Sequence, residues 1–308
     1  MTTYRTDLAM EAFDGIQEDV IPGVSVSHWQ TQGVRMTLVE ITDNGAANAL
    51  GKARGSYLTL ECPGFRQRSP EMRHALSALL AEELARLLPS SPQGAPLLVV
   101  WLGNRAITPD SLGPSVVDQT LVTRHMLSGP FAVSGLNSVC AIAPGVLGLT
   151  GIETMEIVDS VVKRVEPYAI LCIDSLAARD ARRIGSTLQL SDTGIQPGGG
   201  VGNHRRALTQ ESVGVPVIAI GMPTVIYAAA LARDAFSWLS DQSGDEPPSD
   251  ESLQSMEKAL LNAEIGEMIV TPREIDTLID DAAQVIATGI NRAVQSDLSE
   301  AEILEMMG

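Results

Sequence analysis

The stretches LLVVWLGNRAITPDSLGP at 97–114 and YAILCIDSLAAR at 168–179 decide the fold. Each opens on an unbroken apolar run, Leu97 to Leu102 and Tyr168 to Ile173, which is how a strand buried on both faces of a parallel sheet reads. Just past each run stands an acid, Asp110 in one and Asp174 in the other. Open parallel sheets place their chemistry outside the carboxyl ends of the strands, so two such carboxylates are candidates for one cleft.

Outward from these runs, strand and helix patterns alternate. Ser69 is a good N-cap followed by Pro70, and Met72, Leu76, Leu79, Leu80, Leu84 and Leu87 fall on one side of the helix that follows. A helix is predicted over about 115–127, a strand in VCAIAPG ending at Pro144-Gly145, and a helix in IETMEIVDSVVKRV. PVIAIGMP at 216–223 reads as a strand leading into the helix TVIYAAALARDAFSWL, and a last helix starts near Thr271-Pro272. Such alternation predicts an α/β fold with a mostly parallel or mixed sheet and helices on both faces. Before Ser69, ALGKARGSYLTLECPG predicts short strands forming a small β extension. DQSGDEPPSD, within an acidic stretch at about 240–251, predicts a flexible exposed loop.

Composition narrows the function classes. A net charge of −17, with 38 acidic side chains, argues against gripping a phosphate backbone, so no direct nucleic-acid contact is expected. No run reaches the roughly 18 apolar residues of a membrane span, and the polar N-terminus MTTYRTDLAMEAF does not read as a signal peptide. A cytoplasmic protein without membrane contact is expected. Cys62, Cys140 and Cys172 lack CxxC spacing and read as buried packing residues. His28, His74, His125 and His204 show no metal-binding spacing, and no GxSxG elbow is present. No metal and no cofactor are expected.

Catalysis therefore rests on carboxylates or is absent. Two carboxyls sharing a proton suffice for peptide hydrolysis, one activating water while the other protonates the carbonyl oxygen or leaving amine. Asp110 also reads as a cap for the helix after Pro114, and Asp174 as a cap or a partner of Arg179. The glycine-dense SDTGIQPGGGVGNHR at 191–205 must be a shaped loop, and its glycines do not follow a nucleotide-binding pattern. Asp192, Gly198, Gly199, Gly200, His204 and Arg205 are its candidates for holding a substrate.

Taken together these blocks resemble the germination protease family of spore-forming bacteria. The resemblance is carried by RTDLAMEA at 5–12, GNRAITPDSLGP at 103–114, LVTRHM at 121–126, AIAPGVLGLTGIET at 141–154, IDSLAAR at 173–179, the glycine-rich loop, GVPVIAIGMPTV at 214–225 and MIVTPREID at 268–276. It implies a fold similar to hydrogenase-maturation peptidases and phosphorylase-like proteins, and an endopeptidase that starts the degradation of small acid-soluble spore proteins in the germinating spore core. It further implies an autoprocessed zymogen, a homotetramer, and a catalytic pair falling on Asp110 and Asp174. Residues 1–15 then form a propeptide-like segment, with cleavage near Glu11, and 16–308 one peptidase domain. Two other readings stay open. A metal-sensing maturation-type peptidase would bind nickel at Asp110, Asp174 and His125, and a non-catalytic binding or scaffold protein would clasp a partner with the glycine-rich loop.

Overall fold

The computed structural model describes residues 6–14, 21–92, 94–127, 133, 135–196, 206–243, 248–261, 263 and 268–307. Its strands are β1 (Val24–Thr31), β2 (Val34–Ile41), β3 (Gly55–Glu61), β4 (Leu97–Trp101), β5 (Val139–Ile142), β6 (Ala169–Ala178), β7 (Thr187–Ser191), β8 (Val217–Tyr227) and β9 (Ile269–Val270). Its helices are α1 (Ala9–Asp14), α2 (Asn44–Leu50), α3 (Pro70–Leu87), α4 (Leu112–Val117), α5 (Leu147–Thr150), α6 (Thr154–Val165), α7 (Gln210–Val213), α8 (Ala228–Ser243), α9 (Asp250–Leu261), α10 (Ile275–Val294) and α11 (Glu300–Met307).

These strands form one mixed sheet in the order β1-β2-β3-β7-β8-β6-β4-β5, with β9 beside β8. β5, β4, β6 and β8 run parallel, whereas β7, β3, β2 and β1 continue from β8 as an antiparallel half. The predicted α/β architecture and its N-terminal β extension are both present. On one face, Leu97, Val99 and Trp101 of β4 and Leu171 and Ile173 of β6 pack with Leu76, Leu80 and Leu84 of α3 and Ile279, Ile286 and Ile290 of α10. On the other, Leu98, Val100, Ile170 and Cys172 meet Met155, Val158 and Val162 of α6. Period-two alternation along the strands divides these two sets. α3 starts as its sequence dictates: the Ser69 Oγ accepts the Met72 N–H, and Pro70 fills the first turn.

The structure departs from the sequence reading at several places: the helix expected from Thr224 begins at Ala228, because pairing with β6 and β9 keeps β8 a strand through Tyr227. β6 does not end at Ile173 but continues to Ala178, because β8 runs beside it from Asp174–Gly221 to Ala178–Ile226, with a register shift after Leu176. The ladder thus carries the strand through its polar residues. The helix expected over 115–127 is broken into α4 and a 3₁₀ turn at Arg124–Leu127. Asn291 on α10 takes the backbone between them, accepting the Leu121 N–H at 2.9 Å and donating to the Gln119 carbonyl at 3.0 Å. Tertiary bonds have outcompeted the helical ladder there. Cys140 is half-buried while Cys62 and Cys172 are buried. Burial pushes all three thiols above their ordinary values, as suits packing residues. Of the acidic stretch 240–251, the ends belong to α8 and α9.

Candidate active site

The site is assembled where β4 stops. Its last residue, Trp101, lies opposite Ile173, and the Leu102 N–H donates to the Ile173 carbonyl at 2.9 Å. The next residue, Gly103, has φ +110°, and a Cβ there would come within 2.2 Å of the Asp110 carbonyl oxygen. Only glycine meets both demands. The chain then folds back: the Asn104 N–H donates to the Asp110 carbonyl at 2.8 Å, and the Asn104 side chain accepts the Ala106 N–H at 2.9 Å. Thr108–Asp110 forms a 3₁₀ turn that rests against β6, β8 and α10.

α4 fixes this turn from the other side. A Cβ on Gly113 would lie 2.3 Å from the Leu102 carbonyl and 3.0 Å from that of Ile173, so the helix sits directly on the end of β4 and on β6 beside it. Arg105 clamps the loop to α4 through the Pro114 carbonyl at 2.8 Å and the Asp118 carboxylate at 2.9 Å. The N-cap of α4 is Ser111, not Asp110.

Asp174 lies on β6 one residue past the contact with Leu102 and is 6% exposed. Alternation with Ile170 and Cys172 aims its side chain to the α6 face, and its Oδ1 accepts the Ser175 N–H at 2.9 Å. Burial and the nearby Asp174 carboxylate hold the Cys172 thiol well above its usual range. Asp110 is half-buried. Asp110 therefore stands just past the carboxyl end of β4, and Asp174 lies beside that end within β6, which runs on to Ala178.

The other sequence candidates fall elsewhere. Asp192 follows β7, whose last residue Ser191 pairs with Ala219, displaced from Gly221 beside Asp174 toward the amino end of β8. Its Oδ1 accepts the Ser56 N–H at 2.8 Å, fastening β7 to β3. His125 is exposed on the turn after Thr123, whose N–H donates to the Val139 carbonyl at the amino end of β5. That is the margin of the sheet opposite to the two acids. Gly198, Gly199, Gly200, His204 and Arg205 lie outside the described residues. The stem of their loop is closed by paired backbone bonds between Ile195 and Leu208, on the α6 face to which Asp174 points.

The N-terminal segment is far more than a leader preceding the first folded element. Leu8, Ala9, Met10, Glu11 and Ala12 are buried. The Asp7 N–H donates to the Ala177 carbonyl at 2.9 Å, while the Ala177 N–H donates to the Asp7 carboxylate at 2.8 Å. The Glu11 carboxylate accepts the N–H groups of Arg179 at 2.7 Å and Asp180 at 2.9 Å, a bond from the Thr6 hydroxyl, and an ion pair from Arg183 at 3.3 Å. Burial nevertheless pushes its carboxyl above the ordinary value, against those four lowering influences. The Lys52 ammonium donates to the Thr6 carbonyl at 2.8 Å and is lowered by burial, opposed by Asp7 and Glu11. Sequence reading missed Asp7, Gly103, Gly113 and Arg183. The two glycines flanking Asp110, one just past a strand and one in the first turn of a helix, were the available signal.

With this geometry in hand, comparison with known proteins is decisive. A family model described as germination protease matches residues 6–265. The chain belongs to the germination protease family. A germination protease of Caldanaerobacter subterraneus subsp. tengcongensis is 43% identical, with 98% of each chain covered. Germination proteases of Clostridium tetani, at 40% identity over 98% of each chain, and Priestia megaterium, at 38% over 97% of this chain and 95% of the relative, are similar along the same length. The match takes in the N-terminal segment from Thr6, both acids and the glycine-rich loop. As a member of this family the chain is a protease of spore germination and thus a hydrolase. No helix among the described residues is long and apolar enough to cross a membrane.

Proposed function

We propose that the protein is an endopeptidase that begins the degradation of small acid-soluble spore proteins in the germinating spore core, with Asp110 and Asp174 as its catalytic pair. The observation that carries the reading is the closure of the Asp110 turn onto the end of β4 and against β6 at Ile173, one residue from Asp174. One carboxylate removes a proton from water as its oxygen adds to the scissile carbonyl carbon. The other, protonated, gives its proton to the carbonyl oxygen. Collapse of the tetrahedral adduct breaks the C–N bond, and a proton passes to the departing amine. The buried amide bonds around Gly103 and Asn104 fix one partner of this exchange, and the β6–β8 ladder fixes the other.

Residues 1–15 act as a propeptide in this reading, removed by autoprocessing near Glu11. Because Glu11 stands in α1 with its side chain fastened under β6, its peptide bond must leave that place before it can be cut. Undocking, not hydrolysis, then limits activation. The homotetramer expected for the active form finds support in the exposed apolar side chains Phe236, Trp238 and Leu239 on α8, with Trp238 61% exposed.

The test incubates a small acid-soluble spore protein with wild type, Asp110→Asn and Asp174→Asn. Discrete cleavage by the wild type and none by folded variants is expected. Normal cleavage by either variant sinks the assignment.

A further inference from the structure

Beyond the end of β4, one edge of β6 carries a regular series of backbone groups. The Ile173 carbonyl accepts the Leu102 N–H at 2.9 Å. Two residues on, the Ser175 N–H donates to the Asp174 carboxylate at 2.9 Å. After two more, Ala177 exchanges bonds with Asp7, through the Asp7 N–H at 2.9 Å and the Asp7 carboxylate at 2.8 Å. Two further, the Arg179 N–H donates to the Glu11 carboxylate at 2.7 Å. A strand shows its N–H and C=O to the same side at every second residue, so 173, 175 and 177 make one continuous edge, which stops with the strand at Ala178; beyond it the adjacent N–H groups of Arg179 and Asp180 both turn to Glu11.

That edge is covered without a strand. Residues 7–11 supply one main-chain N–H and two side-chain carboxylates, and at Ser175 the protein uses the neighbouring Asp174. An edge so placed is a template for an added chain, and extended peptides are commonly captured by joining one. We propose that the edge of β6 from Ser175 to Ala177 is the docking edge for an extended segment of the protein substrate, held in this structure by the chain's own residues 7–11. The inference rests on the reading of Asp174 given above. It adds a direction of entry. A segment paired at Ser175 displaces the Asp174 carboxylate from the Ser175 N–H and lays its own main chain beside the acid that is to act on it. Capture and release of the carboxylate are then one event.

The experiment uses full-length protein carrying Asp110→Asn to prevent self-cleavage, with Asp7→Ala and Glu11→Ala to loosen the N-terminal segment. Amide hydrogen exchange at Ser175 and Ala177 is followed with and without a small acid-soluble spore protein, whose binding is measured in parallel by fluorescence anisotropy. Exchange at the two amides is expected to slow at least about tenfold on binding, the signature of newly made ladder bonds. A second full-length variant, Ala177→Pro, removes one edge N–H and is expected to weaken binding at least about tenfold. Binding with unchanged exchange at these amides, no binding at all, or full binding by Ala177→Pro overturns the proposal. Protection is read from exchange alone, so it stands whether or not Asp110→Asn abolishes cleavage.

Discussion

Asp174 and Glu11 are two buried carboxylates on the same edge of β6, and their surroundings differ in kind. Glu11 is enclosed by backbone N–H groups, a hydroxyl and the guanidinium of Arg183. Asp174 turns back to the N–H of its own neighbour, beside a turn that brings a second, half-buried acid to the same margin. A carboxylate surrounded by donors is a fastener. A carboxylate set near another acid is suited to handling a proton. On the proposed reading, the same residue chemistry separates into holding and reacting according to what the sheet leaves beside it.

If the proposed pair is catalytic, the largest effect should come from its two acids. Asp174→Asn and Asp110→Asn keep shape and lose the proton, and each is expected to lower kcat by about 10²–10⁴-fold with little change in KM. Steady-state kinetics on folded protein, with circular dichroism as control, measures this. A fall in kcat below tenfold would move the pair's role elsewhere.

Breaking the fastener should act on structure first. Glu11→Ala leaves two backbone N–H groups without their acceptor, a cost of about 1–3 kcal/mol each, while Arg183 keeps Asp14 and Glu61. Because the bonds belong to one segment, the expected result is local: limited proteolysis should remove the N-terminus rapidly while the domain core stays resistant. Simultaneous collapse of the core would show that residues 6–14 are part of the domain's folding unit.

A smaller effect sharpens the geometry between the two acids. Gly103→Ala places a Cβ where the Asp110 carbonyl stands, in a backbone conformation costing about 1–3 kcal/mol for other residues. The turn must shift, and kcat is expected to fall about 10–100-fold while KM holds. Gly51→Ala, at φ +64° with open space around it, carries the same kind of backbone strain far from the site and should leave kcat unchanged.

These contrasts also show what was legible in the sequence. The apolar runs of β4, β6 and β8 announce themselves because a strand buried on both faces needs no polar residues, and Asp110 and Asp174 stand out against them. The extension of β6 past Asp174 was illegible, because the partner that sustains it is β8, more than forty residues away in the chain. The break after α4 was hidden for the same reason, since Asn291 supplies the competing bonds from α10. The docking of residues 6–14 left no pattern at all: RTDLAMEA is polar and short, and its acids are satisfied by backbone groups of a distant strand.

The finest test of the comparison is pH. Docking raises the Glu11 carboxyl above its ordinary value, burial outweighing Thr6, the two N–H groups and Arg183. A carboxyl with a raised docked value binds its proton more tightly docked than free, so its contribution favours docking below the free value and is lost as pH rises through the docked one. Acid alone therefore tightens the segment through Glu11, and activation by acid would have to work through other groups. Proteolytic release of the N-terminus is expected to slow modestly between neutral pH and about pH 5, using a protease whose own pH response is calibrated on an unfolded peptide. Glu11→Gln cannot titrate and should flatten that slope. A wild-type slope of the opposite sign that survives Glu11→Gln would place the pH response in the neighbouring charges Asp7, Lys52, Asp180 and Arg183, and leave Glu11 a fastener at every pH.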